Sequence, residues 1–130
     1  MQTPKPSLIQ QIPFENKGNI ELYIKREDLI HPFISGNKFR KLKSNIVEAQ
    51  AVKYQTVLTF GGAYSNHIAA TAYACKISGL KSIGVIRGEE LRPKINENPT
   101  LSFAQSCGME FLFVTRTDYR KKTESEFIEN

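Results

Sequence analysis

Thr56-Val57-Leu58-Thr59-Phe60-Gly61-Gly62-Ala63-Tyr64-Ser65-Asn66-His67 decides how this chain folds. Residues 56–60 are strand formers, and the glycine pair that follows reads as the break that ends the strand. Ser65 then stands at a helix N-cap, ahead of an alanine-rich run reaching Ser78. Gly79 falls where that helix needs a left-handed residue to stop. Strand, glycine turn and helix start together aim free backbone N–H groups at one spot, which suits a carboxylate. A plainer reading stays open. In it Ser65 serves only as a cap, with Asn66 incidental and His67 an ordinary packed or surface histidine.

Outward from this stretch, strand and helix alternate. Downstream, 82–86 reads as a strand, Pro99 opens a helix that ends near Gly108, and 110–114 is a further strand. Upstream, 20–25 alternates apolar and polar residues like a strand, and 28–32 reads as a loop. A helix begins at Gly36 or Asn37, with Phe39, Leu42, Ile46, Ala49 and then Val52 at three- and four-residue spacing. At the far end, Thr123 with Glu126 has the spacing of a capping box. The expected fold is α/β, a parallel sheet covered by helices. There is no internal repeat and no low-complexity tract.

Lys38 is the second feature. It lies at the loop-to-helix junction Ser35-Gly36-Asn37-Lys38-Phe39-Arg40-Lys41-Leu42, where a side chain can enter a cleft. A lysine that attacks a carbonyl must be neutral, and the neighbouring cations Arg40, Lys41 and Lys43 favour that form. The alternative is a surface lysine on a basic helix. A nucleotide phosphate loop fits poorly, because Gly36-Asn37-Lys38 lacks a preceding strand and spaced glycines.

With 40% hydrophobic and 24% charged residues in 130, the chain reads as one globular domain's worth of sequence rather than a disordered one. The net charge of +5 concentrates at Lys38–Lys43 and again at Arg116–Lys122. Solvated helix faces or an anionic ligand account for it, and no nucleic-acid-binding motif is visible. No apolar run is long enough to cross a membrane, and the N-terminus lacks the apolar core of a signal peptide. Cys75 and Cys107 read as reduced buried thiols, so a cytoplasmic protein with no membrane or nucleic-acid partner is expected.

The two strings Ser35-Gly36-Asn37-Lys38-Phe39-Arg40-Lys41-Leu42 and Gly61-Gly62-Ala63-Tyr64-Ser65-Asn66-His67, with Lys25-Arg26-Glu27-Asp28-Leu29 before them, resemble the 1-aminocyclopropane-1-carboxylate deaminase and D-cysteine desulfhydrase family. The resemblance runs over essentially the whole chain. It implies the tryptophan synthase β-like fold of pyridoxal phosphate (PLP) enzymes, fold type II, incomplete in this chain. It implies that residues 1–43 begin a large cofactor domain and 44–130 form most of a smaller α/β domain, each incomplete.

The resemblance also implies roles. Lys38 would hold PLP through its amine and then act as a base. Asn66 would bond the ring hydroxyl oxygen, and Asn37 would support the lysine loop. Ser65 Oγ and the backbone N–H groups of Asn66 and His67 would bind the substrate carboxylate, with Ser65 also able to move a proton. His67 occurs often in the desulfhydrases, where the deaminases usually carry Gln, while Tyr64 departs from the Gln common in both. The expected reaction is therefore β-elimination of D-cysteine to pyruvate, ammonia and sulfide, with opening of the cyclopropane amino acid to 2-oxobutanoate and ammonia as the alternative. A homodimer of a longer protein is implied. The 130 residues contain no later glycine-rich loop for the PLP phosphate, so the chain alone is expected to be nearly inactive. A non-catalytic basic module binding an anion or RNA is the competing reading.

Overall fold

The computed structural model describes residues 5–15, 18–125 and 127. Two short strands, β1 (Ile9–Ile12) and β2 (Leu22–Lys25), pair antiparallel from Ile9 opposite Lys25 to Ile12 opposite Leu22. A single 3₁₀ turn follows at Glu27–Leu29, overlapping the start of the segment expected to be loop. Helix α1 then runs over Asn37–Ala51 and buries Phe39, Leu42, Ile46 and Ala49, the stripe that the spacing predicts. Val52 does not extend this stripe. It is exposed and caps the helix with non-helical backbone. The division expected after Lys43 falls within α1, which continues unbroken past it.

The main sheet is parallel, in the order β3 (Thr56–Gly62), β4 (Lys81–Arg87), β5 (Met109–Val114). Helices α2 (Asn66–Ile77) and α3 (Pro99–Ser106) make the two crossovers. The glycine pair does not end β3, contrary to the sequence reading. Gly61 and Gly62 stay in the ladder opposite Ile86 and Arg87, and the chain turns at Ala63 and Tyr64. Gly61 is there for space. A Cβ on it would lie 2.5 Å from Ile68 Cγ1, so only glycine lets α2 sit this close to the strand.

Helix α2 is sandwiched, which explains its alanines. Ala70, Ala74 and Cys75 join one core cluster with Ile30, Ile34, Phe39, Leu42 and Ile46. Ile68 and Ala72 join the other, with Ile86, Leu101, Ala104, Met109 and Phe113. A helix apolar on both sides is a buried helix, and small side chains let two layers approach it. Gly79 ends it with φ 69°, as expected. Cys75 and Cys107 are free thiols; Cys75 is buried, which pushes it up to about 11, while Cys107 is only half-buried.

A 3₁₀ segment, Glu89–Glu97, links β4 to α3, and a short helix α4 (Arg116–Arg120) follows β5. Neither was expected. Thr115 caps α4, accepting from Asp118 N–H at 3.0 Å. Thr123 lies in the turn just ahead of helical Ser125 and Phe127, and Glu126, its expected partner, lies outside the described residues. Among the described residues no helix is long and apolar enough to cross a membrane.

Candidate functional site

Two helices begin side by side. The start of α1 and the start of α2 line one cavity of about 300 Å³, bounded by Phe33, Ser35, Gly36, Asn37, Lys38, Asn66, Ala69 and Ala70. That volume is at the lower end of the range for small-molecule sites. Lys38, Asn37 and Asn66, singled out from sequence, thus meet although 28 positions separate Lys38 from Asn66. Gly36 makes the entry to α1 possible: its φ of 60° and ψ of −147° lie where a side chain is strained.

Neither helix carries an acidic residue in its first turn. The partial positive charge of both N-termini is therefore left for a ligand to complement. Ser65 is the N-cap of α2, and its Oγ accepts from the His67 N–H at 3.2 Å. Capping uses only an acceptor site of the hydroxyl, so its O–H can still donate to a carboxylate. The two readings of Ser65, cap and anion ligand, are therefore compatible.

Ser65 and His67 do not line the Lys38 cavity. The His67 ring turns toward the sheet, and its Nε2 lies 2.8 Å from Oγ1 of buried Thr59. Burial holds His67 below the usual histidine range, and the nearby charges of Lys38 and Lys41 push the same way. The ring is thus a neutral strut between β3 and α2, while its backbone N–H belongs to the helix start. Lys38 and Lys41 reach it with their field, which marks this end of the molecule as electropositive.

The basic cluster is not uniform. Arg40 is held by Glu27, with Nε–Oε2 at 2.9 Å and Nη2–Oε1 at 2.8 Å. In the second cluster Arg116 pairs with Glu90 at 2.8 Å, and Lys122 Nζ sits 4.8 Å above the Tyr119 ring. Sequence reasoning missed Phe33, Thr59 and the part played by Glu27. Phe33 is signalled by nothing local; its ring lies tilted against Tyr73 at 4.6 Å and stacks on Phe103 at 5.4 Å between centroids, contacts made only by the fold.

For PLP the donor set fits in part. Lys38 offers an amine and Asn66 an amide at the same cavity. Nothing in the 130 residues supplies a second glycine-rich turn for the phosphate. Among the described residues no group of His, Cys, Asp or Glu is placed to hold a metal ion.

No family model matches the chain. Individual proteins do. The chain is 36% identical over 122 residues to a Thermotoga maritima protein provisionally named 1-aminocyclopropane-1-carboxylate deaminase, covering 92% of this chain and 38% of that one. It is 44% identical over 71 residues to an Arabidopsis thaliana protein named bifunctional D-cysteine desulfhydrase/1-aminocyclopropane-1-carboxylate deaminase, covering 55% of this chain and 18% of that one. A crystal structure described as that of an ACC deaminase homologue superposes with a TM-score of 0.75 at 30% identity, covering 97% of this chain and 38% of the other. The chain therefore spans little more than a third of the length of these proteins at most.

Proposed function

The chain belongs to the 1-aminocyclopropane-1-carboxylate deaminase and D-cysteine desulfhydrase family, with its α/β, tryptophan synthase β-like fold, and on that premise we propose that it serves a PLP-dependent enzyme acting on a small amino acid. The observation that carries the proposal is the meeting of Lys38 and Asn66 at one cavity between two uncompensated helix N-termini. When bound, PLP supplies an electron sink for the substrate Cα. Lys38 Nζ would hold the cofactor covalently and, when free, would serve as the base for the Cα proton. Asn66 orients the ring through its side-chain amide. Ser65 O–H and the Asn66 N–H would bind the substrate carboxylate, whereas the His67 N–H, expected to join them, is already taken by Ser65 Oγ. Asn37 supports the lysine loop.

We propose D-cysteine as the substrate. Loss of the Cα proton and departure of sulfide from Cβ leave an enamine, and one water converts it to pyruvate and ammonia. The desulfhydrases that the chain resembles often carry His after Ser-Asn, and His67 supports this reading through that resemblance alone. Opening of the cyclopropane amino acid is the second reading, favoured by the names of the relatives, one of which is bifunctional. We further propose that residues 1–43 open the cofactor domain, that 44–130 form most of the smaller domain, and that the natural protein is a homodimer. The two free thiols suit a reducing compartment such as the cytoplasm.

The test is an assay of the natural polypeptide for sulfide and pyruvate from D-cysteine and for 2-oxobutanoate from the cyclopropane amino acid. Turnover of either supports the family chemistry, and the ratio assigns the substrate. Turnover of neither, with salt-dependent binding to polyanions instead, rejects it for the binding-module reading.

A further inference from the structure

Glu27 grips the chain on both sides of Lys38. Its backbone carbonyl accepts from the Gly36 N–H at 2.8 Å, two residues before the lysine. Its carboxylate takes both arms of Arg40 at 2.8 and 2.9 Å, two residues after it. The same carboxylate accepts from Ser7 Oγ at 2.6 Å and lies 3.2 Å from Lys25 Nζ. It therefore joins three separate segments, and together they hold it far below the ordinary carboxylate range.

The other ion pair of this turn is different in kind. Arg26 and Asp28, 2.7 Å apart, are two residues apart in sequence, and their pair leaves α1 untouched. Isolated exposed pairs contribute little to stability, whereas a bidentate pair in a network fixes geometry. The geometry that matters is rotation. Residues two apart on a helix point about 200° away from each other. The buried Phe39, Leu42 and Ile46 set the rotation of α1, and the Glu27–Arg40 pair braces its first turn from the opposite side to Lys38, which lines the cavity shared with Asn66.

We infer that Glu27 is the positioning residue for Lys38, bracing through Gly36 and Arg40 the first turn from which the lysine amine enters the cavity. The inference rests on the proposed role of Lys38 as the PLP anchor. It assigns no contact between Glu27 and cofactor or substrate.

The test is site-resolved labelling. The natural polypeptide, freed of cofactor, is mixed with pyridoxal phosphate, quenched with borohydride at successive times, and mapped for label at Lys38 and at Lys43. Lys43, on the same helix, is the internal reference. Glu27→Gln is expected to slow labelling at Lys38 by between about tenfold and a hundredfold, as misplacement of a reacting group does, with the Lys43 rate and the thermal midpoint near wild type. Arg40→Met should slow Lys38 in the same sense, and the double variant should be no worse than the slower single, because one linkage is cut twice. Asp28→Asn should leave the Lys38 rate unchanged. An undiminished Lys38 rate in Glu27→Gln overturns the inference, as does an equal fall at Lys43 or in Asp28→Asn. A wild-type protein with no preference for Lys38 instead rejects the cofactor reading, and this inference with it.

Discussion

Helices α1 and α2 begin side by side, yet they are built by opposite means. The start of α2 is local chemistry. Ser65 caps it, Gly61 gives Ile68 room against β3, and His67 braces on Thr59, all within ten residues from Thr59 to Ile68. The start of α1 has no side-chain cap, and its N-cap is a glycine at positive φ. It is held from a distance, by a glutamate that precedes Gly36 by nine positions and Arg40 by thirteen. One half of the candidate site is thus built by neighbours in sequence, and the other adds to its buried stripe an ion-pair network reaching from a distance. That division suits the proposed chemistry. The carboxylate cradle has nothing to move, whereas the lysine must change its bond partner during turnover.

The largest effect that tests this division falls on α1. Lys38→Ala should abolish turnover and covalent cofactor attachment in the natural polypeptide, while circular dichroism stays unchanged, because the lysine is only half-buried and contributes to neither core. Retention of appreciable activity would remove the lysine from the chemistry.

Next is the cradle. Ser65→Ala should weaken substrate binding and slow turnover by about ten- to a hundredfold, equivalent to roughly 1.5–3 kcal/mol for one hydrogen bond to a charged group. The visible absorbance of the bound cofactor should survive. Loss of the cofactor in this variant would move Ser65 into the cofactor's shell and blur the two halves into one.

Packing at the cradle is tested by Gly61→Ala. The added Cβ meets Ile68 at 2.5 Å and Ser65 Cβ at 3.2 Å. Overpacking of this kind costs about 1–3 kcal/mol, to be read as a fall in the denaturation midpoint. An unchanged midpoint would show that α2 can shift away from β3, and the tight seat assigned to this half would be wrong.

The smallest effect is in pH. Burial lowers the folded-state His67 below its ordinary value of 6.5, so the unfolded chain binds the proton first as pH falls. Stability should be complete above about 6.5 and decline below it toward the folded-state value. His31, also lowered by burial, acts in the same direction. His67→Gln should flatten part of the decline and His31→Gln the rest. A decline that is steeper without His67 would reverse the sign argued here.

The contrast between the helices also explains what the sequence let a reader see. Strand β3 and helix α2 are legible because each depends on neighbours a few residues away. The buried stripe of α1 was legible for the same reason. The glycine pair was misread as a strand break because glycine signals a turn and a close approach equally well, and only the position of Ile68 decides between them. Strand β1 was missed because Ile-Gln-Gln-Ile has no period-two pattern, and its partner β2 is exposed throughout. Helix α4 does carry a signal in the sequence, Thr115 three residues before Asp118. At the site, Lys38, Asn37 and Asn66 could be named as candidates, but their meeting could not. The grip of Glu27 is a set of contacts spanning up to twenty positions, from Ser7 to Glu27, which no local pattern encodes.

The central claim is that the α1 start contributes the cofactor-bearing lysine to a site that the α2 start completes. Borohydride reduction of the natural polypeptide with bound pyridoxal phosphate, followed by peptide mapping, tests it most directly. The account predicts the reduced label on Lys38 and on no other lysine, with labelling suppressed when a substrate amino acid is present. Label on a different lysine, or on none, would contradict it.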